Sequence, residues 1–469
     1  MSGTPKMNAA AFDAELIRRY DVNGPRYTSY PTARQFHSGF EAQAYLQAVK
    51  RSNNDPIPRG LSLYLHVPFC ASPCFYCGCT RIITRDPERI AAYMERLHRE
   101  IGMQGHLFDR DRKVEQLHFG GGTPTYLQDD QLDALFRALE AAFAFDNKET
   151  REFSIEVDPR TVSLPRLGTL AELGFNRLSY GIQDLDPEVQ AAVNRVQDPE
   201  RCLELIAGAR DAGFRSVSVD LIYGLPRQTL AGFRSTLERV AAALPDRIAV
   251  YGYAHLPEHF KAQRQIESTD MPGPEMRLQL LALAVEILTG AGYEYIGMDH
   301  FARPGDDLVR AREQGTLQRN FQGYSTHAGL DLIGLGLSAI GHVGQAYVQN
   351  AKTLGGYYSA LDGGELPIAG GLMASSDDEL RADVINRLMC YEVLEFLALE
   401  RAHHIRFRDY FAAELERLKP LAADGLVEVG VSHIRVLPRG RFLLRNLAMV
   451  FDAYLPQIGP ANPMFSKVI

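Results

Sequence analysis

Leu61-Ser-Leu-Tyr-Leu-His-Val-Pro-Phe-Cys-Ala-Ser-Pro-Cys-Phe-Tyr-Cys-Gly-Cys79 joins an apolar run to a loop that carries four of the chain's six cysteines. Leu61–Val67 reads as a buried β-strand, short, nearly continuous in apolar residues and bounded by a proline. Cys70, Cys74 and Cys77 follow as C-x3-C-x2-C, three thiols at ligand spacing on one short loop. A cubane iron–sulfur cluster has four irons and normally takes four thiolates. Three leave one iron with an open site, where a further molecule can bind.

Two other uses of clustered cysteines fit less well. A structural zinc site is usually two C-x2-C pairs some distance apart, and no second pair exists here. A ferredoxin closes its cluster with a fourth thiolate, for which Cys79 is the candidate. Only Gly78 separates it from Cys77, and the bacterial ferredoxin run has different spacing and a proline after its last cysteine. Disulfides are not expected. The chain opens Met-Ser-Gly-Thr-Pro-Lys without a charged-then-apolar signal pattern, so a reducing cytoplasm is the expected compartment.

At 469 residues the chain has room for about three average domains, or one large α/β domain with additions. Its 46% hydrophobic and 23% charged content is ordinary for a globular protein, and a net charge of −8 disfavours nucleic acid. No stretch reaches the ~18 apolar residues of a membrane helix, and residues 278–288 read as a buried helix instead.

From residue 61 onward, short β-rich runs alternate with helical ones. Strands are predicted over 61–67, 114–119, 153–157, 177–181, 216–223 and 248–254, and helices over 87–102, 131–143, 199–212 and 230–243, with Gly174 and Gly213 as helix stops. Such β–α units imply parallel strands with right-handed crossovers. Six of them make an open, partial β/α barrel, with closing elements expected at 294–301 and 332–341. In barrels the chemistry gathers at strand carboxyl ends. There lie Cys70, Gly120-Gly-Gly-Thr123, Glu156, Asp158, Gln183, Asp220 and Ala254-His255. The glycine run lacks the Gly-Lys-Ser/Thr ending of a phosphate loop, so close backbone approach to a ligand is its expected use.

Three regions result: an N-terminal segment, 1–60, with helical patterning at 12–20; the barrel core, 61–370; and a smaller, mostly helical region, 371–469. The last reads as a helix over 377–397, a second over 409–418, and a hairpin of 426–436 and 442–443 turning at Pro438-Arg-Gly440, a winged-helix-like order. Its 12 Lys/Arg against 13 Asp/Glu favour packing or substrate covering over nucleic-acid binding.

The cysteine spacing resembles the signature of radical S-adenosylmethionine (SAM) enzymes. Tyr64-Leu-His-Val-Pro-Phe-Cys70, Cys74-Phe-Tyr-Cys77-Gly-Cys79, Gly120–Thr125, Glu156-Val-Asp-Pro159, Gly181-Ile-Gln183, Val193-Asn-Arg195, Asp220-Leu-Ile-Tyr-Gly-Leu-Pro226 and Tyr253-Ala-His-Leu-Pro257 narrow the resemblance. With Arg26-Tyr-Thr-Ser-Tyr-Pro31 before them and Phe321-Gln-Gly-Tyr324 after, they resemble the oxygen-independent coproporphyrinogen III oxidases (coproporphyrinogen dehydrogenases) over nearly the whole chain. Haem-chaperone-like relatives usually lack the cysteine at 79 and this N-terminal segment.

The resemblance implies anaerobic oxidative decarboxylation of two propionates of coproporphyrinogen III to vinyls, giving protoporphyrinogen IX in haem biosynthesis. It implies a 4Fe–4S cluster on Cys70, Cys74 and Cys77, its fourth iron chelated by SAM, whose cleavage yields a deoxyadenosyl radical, and a second SAM beside the first. Carried over by position, Tyr64, Gly121, Glu156 and Ile340 surround the cluster-bound SAM; Tyr76, Gly122, Thr123, Gln183, Arg195, Asp220 and Ala254 surround the second. Cys79, Tyr64 and Glu156 are the candidate catalytic residues, and at Tyr76 the ring rather than the hydroxyl is expected to matter. An electron-donating protein such as flavodoxin or ferredoxin is the expected partner, and nothing argues against a monomer. As ordinary structural residues, Gln183 and Asp220 would bond strand ends, Arg195 would be a surface charge and Ile340 core; Cys202 and Cys390 read as core. A haem-binding chaperone on the same scaffold and a purely electron-passing protein are the competing functions.

Overall fold

A repeated start signal opens three of the helices. In Asp86-Pro-Glu88, Asp186-Pro-Glu188 and Asp198-Pro-Glu200 the aspartate carboxylate accepts the glutamate backbone N–H at 3.0, 2.9 and 3.0 Å. Proline sits in the first turn, where its missing N–H leaves nothing unpaired. The computed structural model describes residues 12–455, and these helices alternate there with parallel strands. Leu61–Val67 (β1), Lys113–Gly121 (β2), Glu152–Val157 (β3), Arg177–Gln183 (β4), Ser216–Tyr223 (β5) and Arg247–Gly252 (β6) pair in that order, each parallel to the next. The crossover helices include Pro87–Gly105, Asp129–Ala142, Pro199–Asp211 and Leu230–Ala242, close to the predicted bounds. Gly174 and Gly213 follow their helices at φ +109° and +92°, the left-handed region in which glycine carries no Cβ penalty.

The expected closing elements extend the sheet instead. Glu294–Gly297 (β7) and His300–Ala302 (β8) form an antiparallel pair, and β8 adds to β6. Asp331–Leu335 (β9) runs parallel to β1 on the other side, followed by antiparallel Ile340–Val343 (β10), Ala346–Asn350 (β11) and Ile368–Met373 (β12). The order is β7-β8-β6-β5-β4-β3-β2-β1-β9-β10-β11-β12, and the path does not return on itself among the described residues. Met298-Asp299 is too short for a crossover and allows only a hairpin, which creates a new edge. The partial barrel therefore stays open at both sides.

The barrel core unites both faces of the sheet with the helices, and Tyr45, Ala48 and Val49 of the unpredicted helix Ala42–Asn53 belong to it. A second core joins Leu16, Tyr27 and Tyr30 to Leu388, Phe407, Phe411, Leu447 and Phe451. The N-terminal helix is Ala14–Tyr20, and the predicted buried helix lies within Pro274–Gly290. No helix of the described residues is long and apolar enough to cross a membrane.

The C-terminal region differs from its sequence reading. The helix expected over 377–397 ends at Cys390; strand Val393–Glu395 and helix Phe396–His403 follow. The second helix is two, Phe407–Tyr410 and Ala412–Ala423. The hairpin pairs Val427–Val429 with His433–Val436 and turns at Gly430-Val-Ser432, while Pro438–Leu443 is a 3-10 helix leading into Leu444–Val450. A Val393–Glu395 strand pairing with His433–Val436 satisfies backbone groups that a continued helix would have used.

Candidate active site

The cysteine loop is closed at its base and tied down along its length. Phe69–Cys70 pairs with Ile82–Ile83, Ile82 N donating to Pro68 O at 2.7 Å and Thr84 N to Cys70 O at 3.2 Å. The Arg81 guanidinium donates to the carbonyls of Cys77 (2.7 Å) and Cys74 (3.3 Å). Phe75 N donates to Val193 O at 2.9 Å and the Asn194 side chain to Pro73 O at 2.7 Å, fixing the loop to the turn after helix Pro187–Ala192. Cys74 is buried, Cys70 and Cys77 partly so, and Cys79 is exposed. A hydrogen bond from Cys79, helped by Arg81, pulls the Cys77 thiol down to about 6, and Cys79 itself is correspondingly raised. Burial pushes Cys70 up to about 11 against a contact with the Thr123 hydroxyl at 3.4 Å.

The glycines at the end of β2 are packed against protein. A Cβ on Gly120 would lie 2.7 Å from Glu156 Oε1, one on Gly121 2.7 Å from His66 Cε1, and one on Gly122 2.6 Å from the Pro68 backbone. Close packing against these neighbours thus requires glycine in its own right, beside the expected approach to a ligand. Glu156 accepts from His118 Nε2 and from the Gly121 N–H, both at 3.2 Å. Burial opposes its charge, but these bonds hold its carboxyl below the usual range. Tyr64 and His66 share a face of β1 by the two-residue period; Tyr64 stacks on His118 at 5.8 Å and its hydroxyl meets His66 Nδ1 at 3.1 Å. Neither histidine was singled out in the sequence, although both sit on the face that Tyr64 and Glu156 define.

Two cavities meet at Cys79, Gly121 and Glu156. One, about 430 Å³, is lined by Cys70, Cys74, Cys77, Tyr76, Gly122, Thr123, Gln183, Arg195 and Asp220. Arg195 is 6% exposed; Nη1 lies 2.9 Å from Asp158 and 3.5 Å from Cys74 Sγ, Nη2 donates to Gly181 O, and Nε has no partner among the described residues. It is a buried hub, not a surface charge. Asp158 also caps Pro159–Thr161 and pairs with Arg160 at 2.7 Å, so the cap reading and a site role coexist. Burial, with Glu156 nearby, raises Asp220 to about 7 against a 3.4 Å bond from Ser179. Gln183 ends β4 at φ +70°.

The other cavity, also about 430 Å³, is lined by Tyr64, Glu156 and Ile340 and by Arg26, Tyr251, His300 and Arg319. The residues expected around the first SAM thus share one space, and six of the seven expected around the second share the other. Ala254 lines neither; its carbonyl accepts from Gln263 at 3.2 Å.

Residues 64–240 match the Radical SAM superfamily model. The chain is 48% identical to the oxygen-independent coproporphyrinogen III oxidase of Pseudomonas aeruginosa across 99% of this chain and 100% of that one, and 47% identical to that of Escherichia coli K12 across 98% of each. The chain belongs to the oxygen-independent coproporphyrinogen III oxidase family. A solved structure of the Escherichia coli coproporphyrinogen III oxidase, described as a radical SAM enzyme, superposes with a TM-score of 0.90 at 46% identity, covering 95% of this chain and 99% of that one. Near-full-length likeness to oxidases leaves the haem-chaperone alternative without support.

Membership of this radical SAM family implies a 4Fe–4S cluster and SAM. Among the described residues no three Cys, His, Asp or Glu side chains already stand in metal-holding geometry. The donor set nevertheless fits: three thiols border one cavity, one of them readily ionised, and the orphaned Arg195 Nε is buried at its wall.

Proposed function

We propose that this chain is the anaerobic oxidative decarboxylase of coproporphyrinogen III, converting two propionates to vinyls and yielding protoporphyrinogen IX. The observation that carries it is the pair of cavities meeting at Cys79, Gly121 and Glu156, one bordered by the three cluster thiols and the other by guanidiniums suited to carboxylates. In this reading Cys70, Cys74 and Cys77 hold the cluster, Tyr64, Gly121, Glu156 and Ile340 one SAM, and Tyr76, Gly122, Thr123, Gln183, Arg195 and Asp220 a second. Ala254 is a weaker member of that set. When bound, these groups supply the one-electron chemistry that removes hydrogen from the propionate β-carbon.

The chain's own residues position and protect. His118 and the Gly121 N–H hold Glu156 ionised toward both cavities, ready for a ribose hydroxyl or an ammonium group. Asp158 and the Gly181 carbonyl lock Arg195 so that Nε faces a ligand without rearrangement. Arg26, whose guanidinium donates to the Gly252 carbonyl at 3.4 Å, is placed for a propionate, and the segment around it excludes water from the mouth. Cys79 sits where the cavities meet and acts on the substrate side. A reductant protein such as flavodoxin or ferredoxin, a reducing cytoplasmic setting and a monomeric enzyme complete the proposal.

Anaerobic incubation of the reconstituted protein with coproporphyrinogen III, SAM, a low-potential reductant and an added one-electron acceptor, which takes the electron released with each carbon dioxide, tests it. Protoporphyrinogen IX should accumulate with two carbon dioxide released per molecule; SAM cleavage without that product would refute the assignment. Arg195→Ala should leave iron content intact and reduce bound SAM from two per chain to one. One SAM in the wild type, with Arg195→Ala unchanged, would remove the second site.

A further inference from the structure

Arg319 lines a cavity with two guanidinium nitrogens that no group among the described residues satisfies. It lies on strand Gln318–Asn320, opposite Tyr324 on Gly323–Ser325, in a hairpin with a two-residue loop. The hairpin is pinned: Arg319 N donates to Asn386 Oδ1 at 3.0 Å, and Tyr324 OH to Met389 O at 2.8 Å. The guanidinium lies 4.9 Å from the Tyr324 ring centroid. Nε and Nη1 are buried and have no hydrogen-bond partner among the described residues. A buried cationic donor left unpaired costs the full desolvation penalty, and native proteins rarely retain one without use.

Its place is specific. Behind the Tyr64–Ile340 cavity lies another, about 540 Å³, reaching Arg59, Ser62, Gln116 and His342. Thr28, Arg319, Phe321 and Leu332 line both, so Arg319 stands at the junction. The carboxylates on the two walls are already engaged: Glu156 by His118 and Gly121, Asp383 by Arg387 at 2.6 Å and His403 at 3.2 Å. Uncompensated positive charge is felt around it. His300 falls to about 3 through burial and then repulsion from Arg319 and Arg247. Arg445 is lowered to about 10 by burial, then by Arg26, with Arg319 adding to the effect and Asp299 offsetting part of it.

We propose that Arg319 binds a carboxylate of the tetrapyrrole, anchoring a propionate at the junction so that the macrocycle spans both cavities and another propionate reaches the Glu156–Cys79 end. This rests on the substrate reading above. A planar guanidinium already oriented by the Tyr324 ring loses little freedom on binding and matches a carboxylate bidentately, which lysine does not. Arg319 is therefore a substrate-binding residue that selects for the number and placement of acid side chains.

The test is equilibrium binding of coproporphyrin III, the fluorescent oxidised tetracarboxylate, to the full-length reconstituted protein, with SAM binding measured on the same samples. Arg319→Gln should raise the porphyrin Kd at least tenfold, Arg319→Lys should fall between it and wild type, and SAM binding should be unchanged in both. Wild-type porphyrin affinity in Arg319→Gln, or equal loss of porphyrin and SAM binding, would overturn the proposal. If the wild-type protein itself binds no coproporphyrin III, the substrate reading fails and this inference with it.

Discussion

Cys74 lies between two guanidiniums, Arg195 Nη1 at 3.5 Å and Arg160 Nη2 at 3.7 Å, and Cys77 is already biased toward thiolate. Cys202 and Cys390 are packed among apolar side chains with thiols held protonated by burial. Cys74→Ala should therefore lose the bound iron and SAM cleavage after anaerobic reconstitution, whereas Cys202→Ala should keep both; full four-iron content in Cys74→Ala would contradict the ligand set. Cys79→Ser should retain iron, since Cys79 is the exposed thiol beyond the loop's closed turn. At Gly121, φ +115° and a Cβ only 2.7 Å from the His66 ring act together. Gly121→Ala should lower unfolding stability by about 1–3 kcal/mol or more, read from a urea midpoint. The clustered cysteines and strand-end polar residues were legible because spacing and strand period are local properties. The orphaned nitrogens of Arg319 and Arg195 were not, because lacking a partner is a property of the whole surroundings. Tyr27 and Tyr30, only 3% and 4% exposed, belong to the second core, a placement that likewise depends on the whole surroundings.

The barrel strands could be read at the scale of elements because each β-rich run is bounded by polar or glycine residues and each crossover helix has its own cap. Residues 390–397 defeated the same approach: Cys-Tyr-Glu-Val-Leu-Glu-Phe-Leu carries no glycine or proline to mark the break, and the strand there exists only because His433–Val436 pairs with it. The edges of the barrel were misread in a similar way, since strand pairing depends on connection length more than on composition. Helix Pro87–Gly105 shows how an element is held in register by one buried group. Glu100 is fully buried, accepting from Gly336 N at 2.8 Å, Asn350 Nδ2 at 2.6 Å and Tyr357 OH at 2.5 Å, so it ties that helix to the end of β9, to β11 and to helix Leu354–Asp362. Burial outweighs these bonds and raises its carboxyl from 4.5 to about 7. The folded state then binds a proton more tightly than the unfolded chain does. Its contribution is fully present below pH about 4.5 and is lost as pH rises through about 7, on the order of 3 kcal/mol. Urea midpoints between pH 4.5 and 8 should fall accordingly on the alkaline side. Glu100→Gln should flatten that slope while weakening the fold at every pH, because its amide nitrogen must face a buried donor. An unchanged slope would show that Glu100 is not the titrating group.

Across the described residues the N-terminal segment contributes to both cores and borders the cavity lined by Tyr64, Glu156 and Ile340. Leu16, Tyr27 and Tyr30 pack with the C-terminal helices, Tyr45 and Val49 with the barrel, and Arg26 and Thr28 face the cavity. The connection is made by directed bonds: Tyr27 OH donates to Asp452 at 2.8 Å, Ala453 N to Tyr30 OH at 2.9 Å, and the buried Arg445 to the Gly24 and Pro25 carbonyls. The position of Arg26 is thus set by residues near 450, far away in sequence. A segment held in this way couples closure of the mouth to the integrity of the C-terminal region, and a loosened mouth would admit water to a radical site. Tyr27→Phe removes one of these bonds without adding bulk and leaves the Asp452 carboxyl, 4% exposed, short of a donor, at a cost of about 1–3 kcal/mol. Iron content and SAM binding should remain at wild-type levels, since no ligand or SAM-side residue is touched. Decarboxylation should fall more than SAM cleavage does, so that more SAM is consumed per vinyl formed. Tyr30→Phe, which removes an acceptor from Ala453 N, should act in the same direction more weakly. Measuring deoxyadenosine and protoporphyrinogen IX in the same anaerobic reaction decides it: a wild-type ratio of the two in Tyr27→Phe would mean that the segment is only a packed strap, with no part in coupling closure to chemistry.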